Sequence, residues 1–352
     1  HAAVLSHLNG KRAAEVLNEI ATLHKNESQT FDALILQADM LLWNPSPEST
    51  EQAEHLYTQA LSLAEQETES NIFPNQTLSV AYEKLGACAW NHNTTESRKQ
   101  ALKWYLYALD SRKETYKNNP TFEHRKTLSS LFEKLCNCIR HKKTAESREQ
   151  AEQWALNALE LANQNYVERP CYESRHALAV TLERLGNIAQ AAGTPAAWIR
   201  AAEWYQQMHT LCEQNHISNP CFESKLKLSA ACKRLGDVCR EENTPESRIQ
   251  AEKWYLQKLQ LDEQNYRENP NFESRLELSI AYDRLGNIAR KINTKEKLQQ
   301  AERCFRYMLG LRQENYKENP CYDSRHRLSV AYNRLADLFR KKNTQVDRKQ
   351  AE

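Results

Sequence analysis

From residue 75 onward the sequence repeats every 50 residues without a gap, and this period constrains the fold more than any other feature. Leucine recurs at Leu78, Leu128, Leu178, Leu228, Leu278 and Leu328, and again at Leu85, Leu135, Leu185, Leu235, Leu285 and Leu335. Threonine recurs from Thr94 to Thr344 and alanine from Ala101 to Ala351 on the same period. Proline closes each unit at Pro120, Pro170, Pro220, Pro270 and Pro320, preceded by Asn in all but Arg169-Pro170. Upstream the register slips slightly, with Ala53 and Glu54 in the roles of Ala101 and Leu102. The stretch "TFDALILQADMLLW" (30–43) aligns with "TLSVAYEKLGACAW" (77–90) and puts Asp39 in the slot of Gly86.

Each unit reads as two helices. In the first, Leu278, Ala281, Tyr282, Leu285, Ile288 and Ala289 recur at helical spacing; in the second, Ala251, Trp254, Tyr255, Leu259 and Leu261 form the apolar stripe. Thr244 suits an N-cap, Pro245 the first turn, and Glu246 the positive end of the helix dipole. Asn-Pro marks the break before the next unit. With only 7 glycines and 10 prolines in 352 residues, turns are few and elements long. Gly286 therefore stands out, since it costs its helix roughly 1 kcal/mol relative to alanine. Gly86, Gly186 and Gly236 repeat it, which points to a close approach of the paired helix. Cys136 and Ala336 at the same position imply that any small side chain suffices.

These residues resemble the tetratricopeptide repeat, W-x2-L-G-x2-Y, then A-x3-F, then P, over 34 residues. Here Tyr282 takes the Trp slot, Leu285-Gly286 is the Leu-Gly pair, Ala289 takes the Tyr slot, and Ala301, Phe305 and Pro320 follow. The 16 extra residues divide between the turn and both helices, so the helices can stay paired. Such long units are similar to those of kinesin light chains and of bacterial multidomain proteins. The resemblance implies an all-α, right-handed α-solenoid of antiparallel helix pairs. Residues 1–28 are expected to form an N-terminal helix, as a cap or incomplete repeat. Residues 29–342 are expected to hold about six helical hairpins plus a half unit, and 343–352 the start of a truncated helix. The chain is accordingly expected to be a piece of a longer polypeptide.

Little suggests chemistry. Neither GxxxxGK[ST] nor GxGxxG is present, nor HExxH or GxSxG. The ten cysteines form no CxxC pair, no His-Cys cluster has zinc-ligand spacing, and they read as small buried hydrophobes in a reducing cytosol. The sequons at Asn26, Asn75 and Asn93 read as chance. No catalytic residue, cofactor or metal is expected, and no apolar run approaches the ~18 residues of a membrane span. Net charge is only +2, yet residues 1–70 carry −8 and residues 271–352 carry +7. That polarity could steer a partner or drive self-association. The acidic end disfavours nucleic acid.

By the resemblance, the Leu-Gly helices line the concave face and ligand contacts come from residues around that pair. One column there reads Lys84, Lys134, Arg184, Arg234, Arg284, Arg334; a second reads Ala87, Asn137, Asn187, Asp237, Asn287, Asp337. A third reads Trp90, Arg140, Gln190, Arg240, Arg290, Arg340, and Asp283 stands beside them in a column with Glu83, Glu133 and Glu183. Arg offers a planar fork to carboxylates, and Asn can bond an extended backbone through both amide groups. The expected partner-binding set is Asn137, Arg184, Asn187, Arg234, Asp237, Arg240, Asp283, Arg284, Asn287, Arg290, Arg334 and Arg340. The same columns also fit ion-pair ladders between repeats. Glu-Ser-Arg (Glu273, Ser274, Arg275) is assigned to helix start and surface. The expected function is a non-catalytic protein–protein interaction module, the sensor or scaffold part of a larger cytosolic, bacterial signalling protein that binds a peptide or protein segment in the groove. The alternatives are an architectural self-association array, and a regulatory domain whose catalytic part (TIR, nucleotide-binding switch or protease) lies outside this chain.

Overall fold

The computed structural model describes residues 31–43, 46–67, 74–139 and 144–351. The helix expected within residues 1–28, and Arg140, lie outside the described residues. The described residues form thirteen α-helices and no strand. They fall into two compact units divided after Glu168. The first holds α1 (Phe31–Leu41), α2 (Pro47–Glu67), α3 (Pro74–Asn91), α4 (Thr95–Asn118), α5 (Phe122–Ile139) and α6 (Ala145–Glu168). The second holds α7 (Tyr172–Ala191), α8 (Pro195–Ser218), α9 (Phe222–Glu242), α10 (Pro245–Glu268), α11 (Phe272–Ile292), α12 (Lys295–Glu318) and α13 (Tyr322–Ala351). Within each unit every helix packs on the next along the chain, as a stack of paired helices requires.

Local chemistry sets the helix boundaries. Asn93, Gly193, Asn243 and Asn293 take positive φ of 55°, 71°, 58° and 68° and stop α3, α7, α9 and α11. Threonine then caps the second helix: Thr94 Oγ1 accepts from the Ser97 N–H at 3.0 Å, and Thr244 Oγ1 from that of Ser247 at 3.0 Å. Ser97 and Ser247 return the bond to the threonine N–H, completing capping boxes. The helix α13 continues through Asn343-Thr344, so the expected helix start at 343 falls inside a continuous helix.

Glycine's role becomes specific. A Cβ on Gly286 would lie 2.5 Å from the Phe305 ring, and one on Gly186 2.3 Å from the Tyr205 ring. Gly86 and Gly236 meet Tyr105 and Tyr255 in the same way. Cys136 is accommodated because its repeat carries Ala155 where the others carry the ring. The first unit also needs a change of register. The Tyr57 hydroxyl donates to Asp39 18 residues earlier at 2.6 Å, just as Tyr205 donates to Asn187 and Tyr255 to Asp237 at the same separation. Asp39 therefore belongs to the column of Asn187, and the fully buried Ala38 takes the glycine slot.

The apolar stripe of the second helix is rotated from the one expected. Ala251 and Tyr255 are fully buried, whereas Trp254, Leu259 and Leu261 are only half-buried. Trp254 meets His209 edge-on, with centroids 5.2 Å apart. Lys258 and Asp262 occupy the buried line instead, both at 0% exposure. Glu-Ser-Arg also proves structural. Ser274 is buried and donates to the Asn269 carbonyl at 2.7 Å, while Arg275 Nε donates to Asn315 of α12 at 2.8 Å. Arg125–Asn165 and Arg175–Asn215 repeat that tie between paired helices. The cysteines divide as well. Six are buried, but Cys171, Cys221 and Cys321 are helix N-caps, where Cys221 Sγ accepts from the Ser224 N–H at 3.5 Å as Asn271 does from that of Ser274.

Candidate interaction surface

The column of Arg284 is built into ladders. In the second unit Arg234 places Nε and Nη2 at 2.9 and 2.8 Å from one oxygen of Glu183, and Arg334 Nε lies 3.2 Å from Asp283. Each partner sits 51 residues earlier, on the same face of the preceding Leu-Gly helix. In the first unit Lys134 pairs with Glu83, which also binds Arg112. Burial disfavours the Glu83 carboxylate, but Arg112 and Lys134 outweigh it and hold its pKa below the usual glutamate value.

Two rungs lack that acid. Lys233 stands where Arg284 would find it, and Arg284 Nε instead meets Asp237, one turn further along α9, at 3.1 Å. Ile35 stands at the matching place before Lys84, and Lys84 turns to Asp39 at 2.6 Å. Asp237 thus serves three groups: Arg284, the Tyr255 hydroxyl at 2.8 Å, and Arg240 at 3.5 Å. Burial and the Asp237 carboxylate push the Tyr255 hydroxyl up, so it remains a donor. Burial and the neighbouring cations Arg234 and Lys258 pull Lys233 down.

The column of Asn287 is engaged inward. Asn187 accepts from Tyr205 at 2.8 Å. Phe305 has no hydroxyl to offer, and Asn287 instead donates to the Asp283 carboxylate and carbonyl at 2.8 and 2.7 Å. Asn287 and Asp283 are both buried, while Asn137 and Arg184 are half-buried. In the third column Arg290 approaches Asp337 at 3.8 Å and Asn287 at 3.3 Å, and Arg340, 80% exposed, meets Asp337 at 3.3 Å. These residues of α9, α11 and α13 thus fall into linked sets: Asp237 with Arg284, Asp283 with Asn287, Arg290 and Arg334, and Arg234 with Glu183 of α7. Their guanidiniums are partly exposed: Arg234 and Arg284 at 28%, Arg334 at 32%.

One polar cluster escaped the sequence reading. Lys258 Nζ lies 2.8 Å from Asp262, 3.0 Å from Glu277 and 2.9 Å from Ser229 Oγ, and Ser229 also bonds Asp262 at 2.5 Å. Both carboxylates hold the Lys258 proton against the burial that opposes it. The other repeats carry Ala, Met, Cys or Arg at these two positions, so the period itself gives no warning of a buried ion pair.

No protein-family model matches this sequence, and no curated protein sequence matches it. Solved structures do. The S. pombe nuclear import adaptor Nro1 aligns over 85% of this chain and 98% of its own, with a TM-score of 0.52 and 9% identity. TPR-like repeats of a Podosopora anserina kinesin light chain align over 68% of this chain and 100% of their own, with a TM-score of 0.51 and 11% identity. At such identities the likeness speaks for the backbone alone. No helix among the described residues is long and apolar enough to cross a membrane. Paired helices stacked in sequence order, the glycine–aromatic contact in successive pairs, and these structural neighbours together give the chain the fold of a TPR-like α-solenoid.

Proposed function

We propose that this chain is a protein–protein interaction module, the scaffold or sensor part of a larger signalling protein, and that its partner is an extended segment rich in carboxylates. The observation that carries this reading is how the second unit uses its arginines. Arg334 bonds Asp283 through Nε, and Arg284 lies with its Nε 3.1 Å from Asp237 as an ion pair without a hydrogen bond, so the Nη1–Nη2 edge of each fork is the one offered to a partner carboxylate. The ladder acids hold the forks in place, so little side-chain entropy is lost when a partner docks. A structural neighbour described as a nuclear import adaptor fits an interaction role. All ten cysteines are free thiols, which fits a reducing compartment.

The test uses fluorescence anisotropy with a panel of acidic and neutral peptides. Arg284→Lys/Arg334→Lys keeps the charge and the ion pairs but loses the fork. An acidic peptide should bind the parent chain, weaken with added salt, and lose at least about tenfold in affinity to the double variant, with helicity unchanged. Equal binding by both proteins, or no preference for acidic peptides, overturns the reading.

A further inference from the structure

Three side chains of the first unit converge near the end of α3. Cys88 lies on the last turn of that helix and His92 four residues on, so both face the same side. The positive φ of Asn93 ends the helical path just beyond His92. Glu54 comes from α2, one turn after Thr50, whose carbonyl accepts the Cys88 thiol at 3.6 Å. The Cys88 sulfur, one His92 ring nitrogen and one Glu54 oxygen all lie within 4.8 Å of one another. His92 Nε2 and Glu54 Oε2 are 3.4 Å apart.

That distance matters. With metal–nitrogen and metal–oxygen bonds of about 2.0–2.1 Å, two ligands on a tetrahedral ion stand roughly 3.4 Å apart. The His–Glu edge of such a site is already at length, and the sulfur needs only a small closing movement. A thiolate, an imidazole and a carboxylate are a donor set for zinc-class ions and not for calcium or magnesium.

The trio is also specific to this place. The positions of Glu54, Cys88 and His92 read Leu102, Cys138, Lys142 in the next repeat and Glu152, Ile188, Ala192 in the one after. They then read Ala202, Val238, Glu242, next Glu252, Ile288, Ile292, and last Glu302, Leu338, Lys342. Every later repeat keeps one metal-capable side chain of the three. An ordinary surface ion pair would require Glu54 and His92 alone. Here a buried sulfur completes the set, and an exposed imidazole leaves the solvent side open for an ion to enter.

We propose that Glu54, Cys88 and His92 form a three-ligand site for a divalent transition metal of the zinc class, with the fourth position open to water. On binding, the Cys88 thiol gives its proton to solvent as the sulfur–metal bond forms, and the bond to the Thr50 carbonyl is released. Neutral His92 and ionised Glu54 each donate one lone pair, and no redox change is involved.

Co2+ is the probe, because a cobalt–thiolate bond gives a near-ultraviolet charge-transfer band and a tetrahedral site gives intense visible absorption. The full chain, reduced, should bind one Co2+ with both signatures, and Zn2+ should abolish them by displacement. His92→Ala, a change at a partly exposed turn, should weaken Co2+ by more than the about 10–100-fold that loss of a merely supporting group costs. Cys88→Ala should remove the charge-transfer band. Absence of the band in the parent chain, or its survival in Cys88→Ala, overturns the proposal. Should Cys88→Ala fail to fold, the outcome rests on His92→Ala alone, and unchanged Co2+ affinity there overturns it equally.

Discussion

Arg284 pairs with Asp237 at 3.1 Å, one helical turn beyond the position from which Glu183 serves Arg234 and Asp283 serves Arg334. Lys84 and Asp39 repeat the displacement in the first unit. In both places the usual acid is missing, and an aspartate on the next turn takes over while also accepting a buried tyrosine hydroxyl. The charge ladder is thus kept although its residue pattern is broken.

This double duty separates two substitutions. Asp237→Asn keeps an acceptor for Tyr255, as Asn187 does for Tyr205, and loses its ion pairs with the partly exposed Arg284 and Arg240. It should cost less than about 1 kcal/mol. Asp237→Ala leaves the buried hydroxyl without an acceptor and should cost about 1–3 kcal/mol. Urea unfolding of the two variants checks this, and equal midpoints would show that the Tyr255 bond contributes nothing.

Gly286→Ala would ordinarily stabilise a helix by about 1 kcal/mol. Here the new Cβ meets the Phe305 ring at 2.5 Å, and overpacking of about 1–3 kcal/mol should win. The neighbouring solution can be transplanted. Gly286→Cys combined with Phe305→Ala copies the Cys136/Ala155 pair, and a double-mutant cycle should return a favourable coupling of at least about 0.5 kcal/mol. Strict additivity would mean that ring and glycine do not constrain each other.

Lys258 and Asp262 can be exchanged for the residues of the preceding repeat, Met208 and Cys212. Lys258→Met alone strands a fully buried carboxylate and should destabilise by about 3–5 kcal/mol. Lys258→Met/Asp262→Cys removes the two fully buried charges and leaves the partly exposed Glu277 to Lys233, and relative to the parent it should be neutral or more stable by about 1–4 kcal/mol. Thermal unfolding orders the three proteins. A double variant weaker than the single would show that the ion pair itself is a net source of stability.

The cysteines should differ widely in reactivity. Cys321 is exposed, and the Ser324 N–H, the Ser324 hydroxyl and the Asp323 N–H lower its pKa. Its thiolate therefore forms at lower pH than that of an ordinary cysteine. Burial pushes Cys138, Cys212 and Cys232 up to about 12. Iodoacetamide labelling followed by mass spectrometry should find Cys321 first and those three last. Ser324→Ala removes the hydroxyl and keeps the backbone N–H, so it should move the Cys321 rate profile partway toward higher pH, and an unmoved profile would discard the hydroxyl's share of its acidity.

Much of this was legible residue by residue. Threonine caps, Asn-Pro breaks and the Leu-Gly pair are local signals, acting within a turn or two of helix, and they reappear where their spacing put them from Thr94 to Thr294, whereas Thr344 lies inside α13. Asp39 was misplaced by one residue because the alignment followed letters, whereas its column is set by a bond to Tyr57 on the next helix. Spacing puts Trp254 in the apolar stripe with Ala251, Tyr255, Leu259 and Leu261, yet the facing helices bury Lys258 and Asp262 instead.

The sequence by itself determined a repeating stack of helix pairs, because helical periodicity and capping depend on residues three or four apart. Only the tertiary structure decided what the polar residues do. Arg234 meets Glu183 across 51 residues, Arg275 meets Asn315 across 40, and Glu54 meets His92 from another helix. Those partnerships depend on how one helix is rotated against the next, and a column of letters carries no record of that angle.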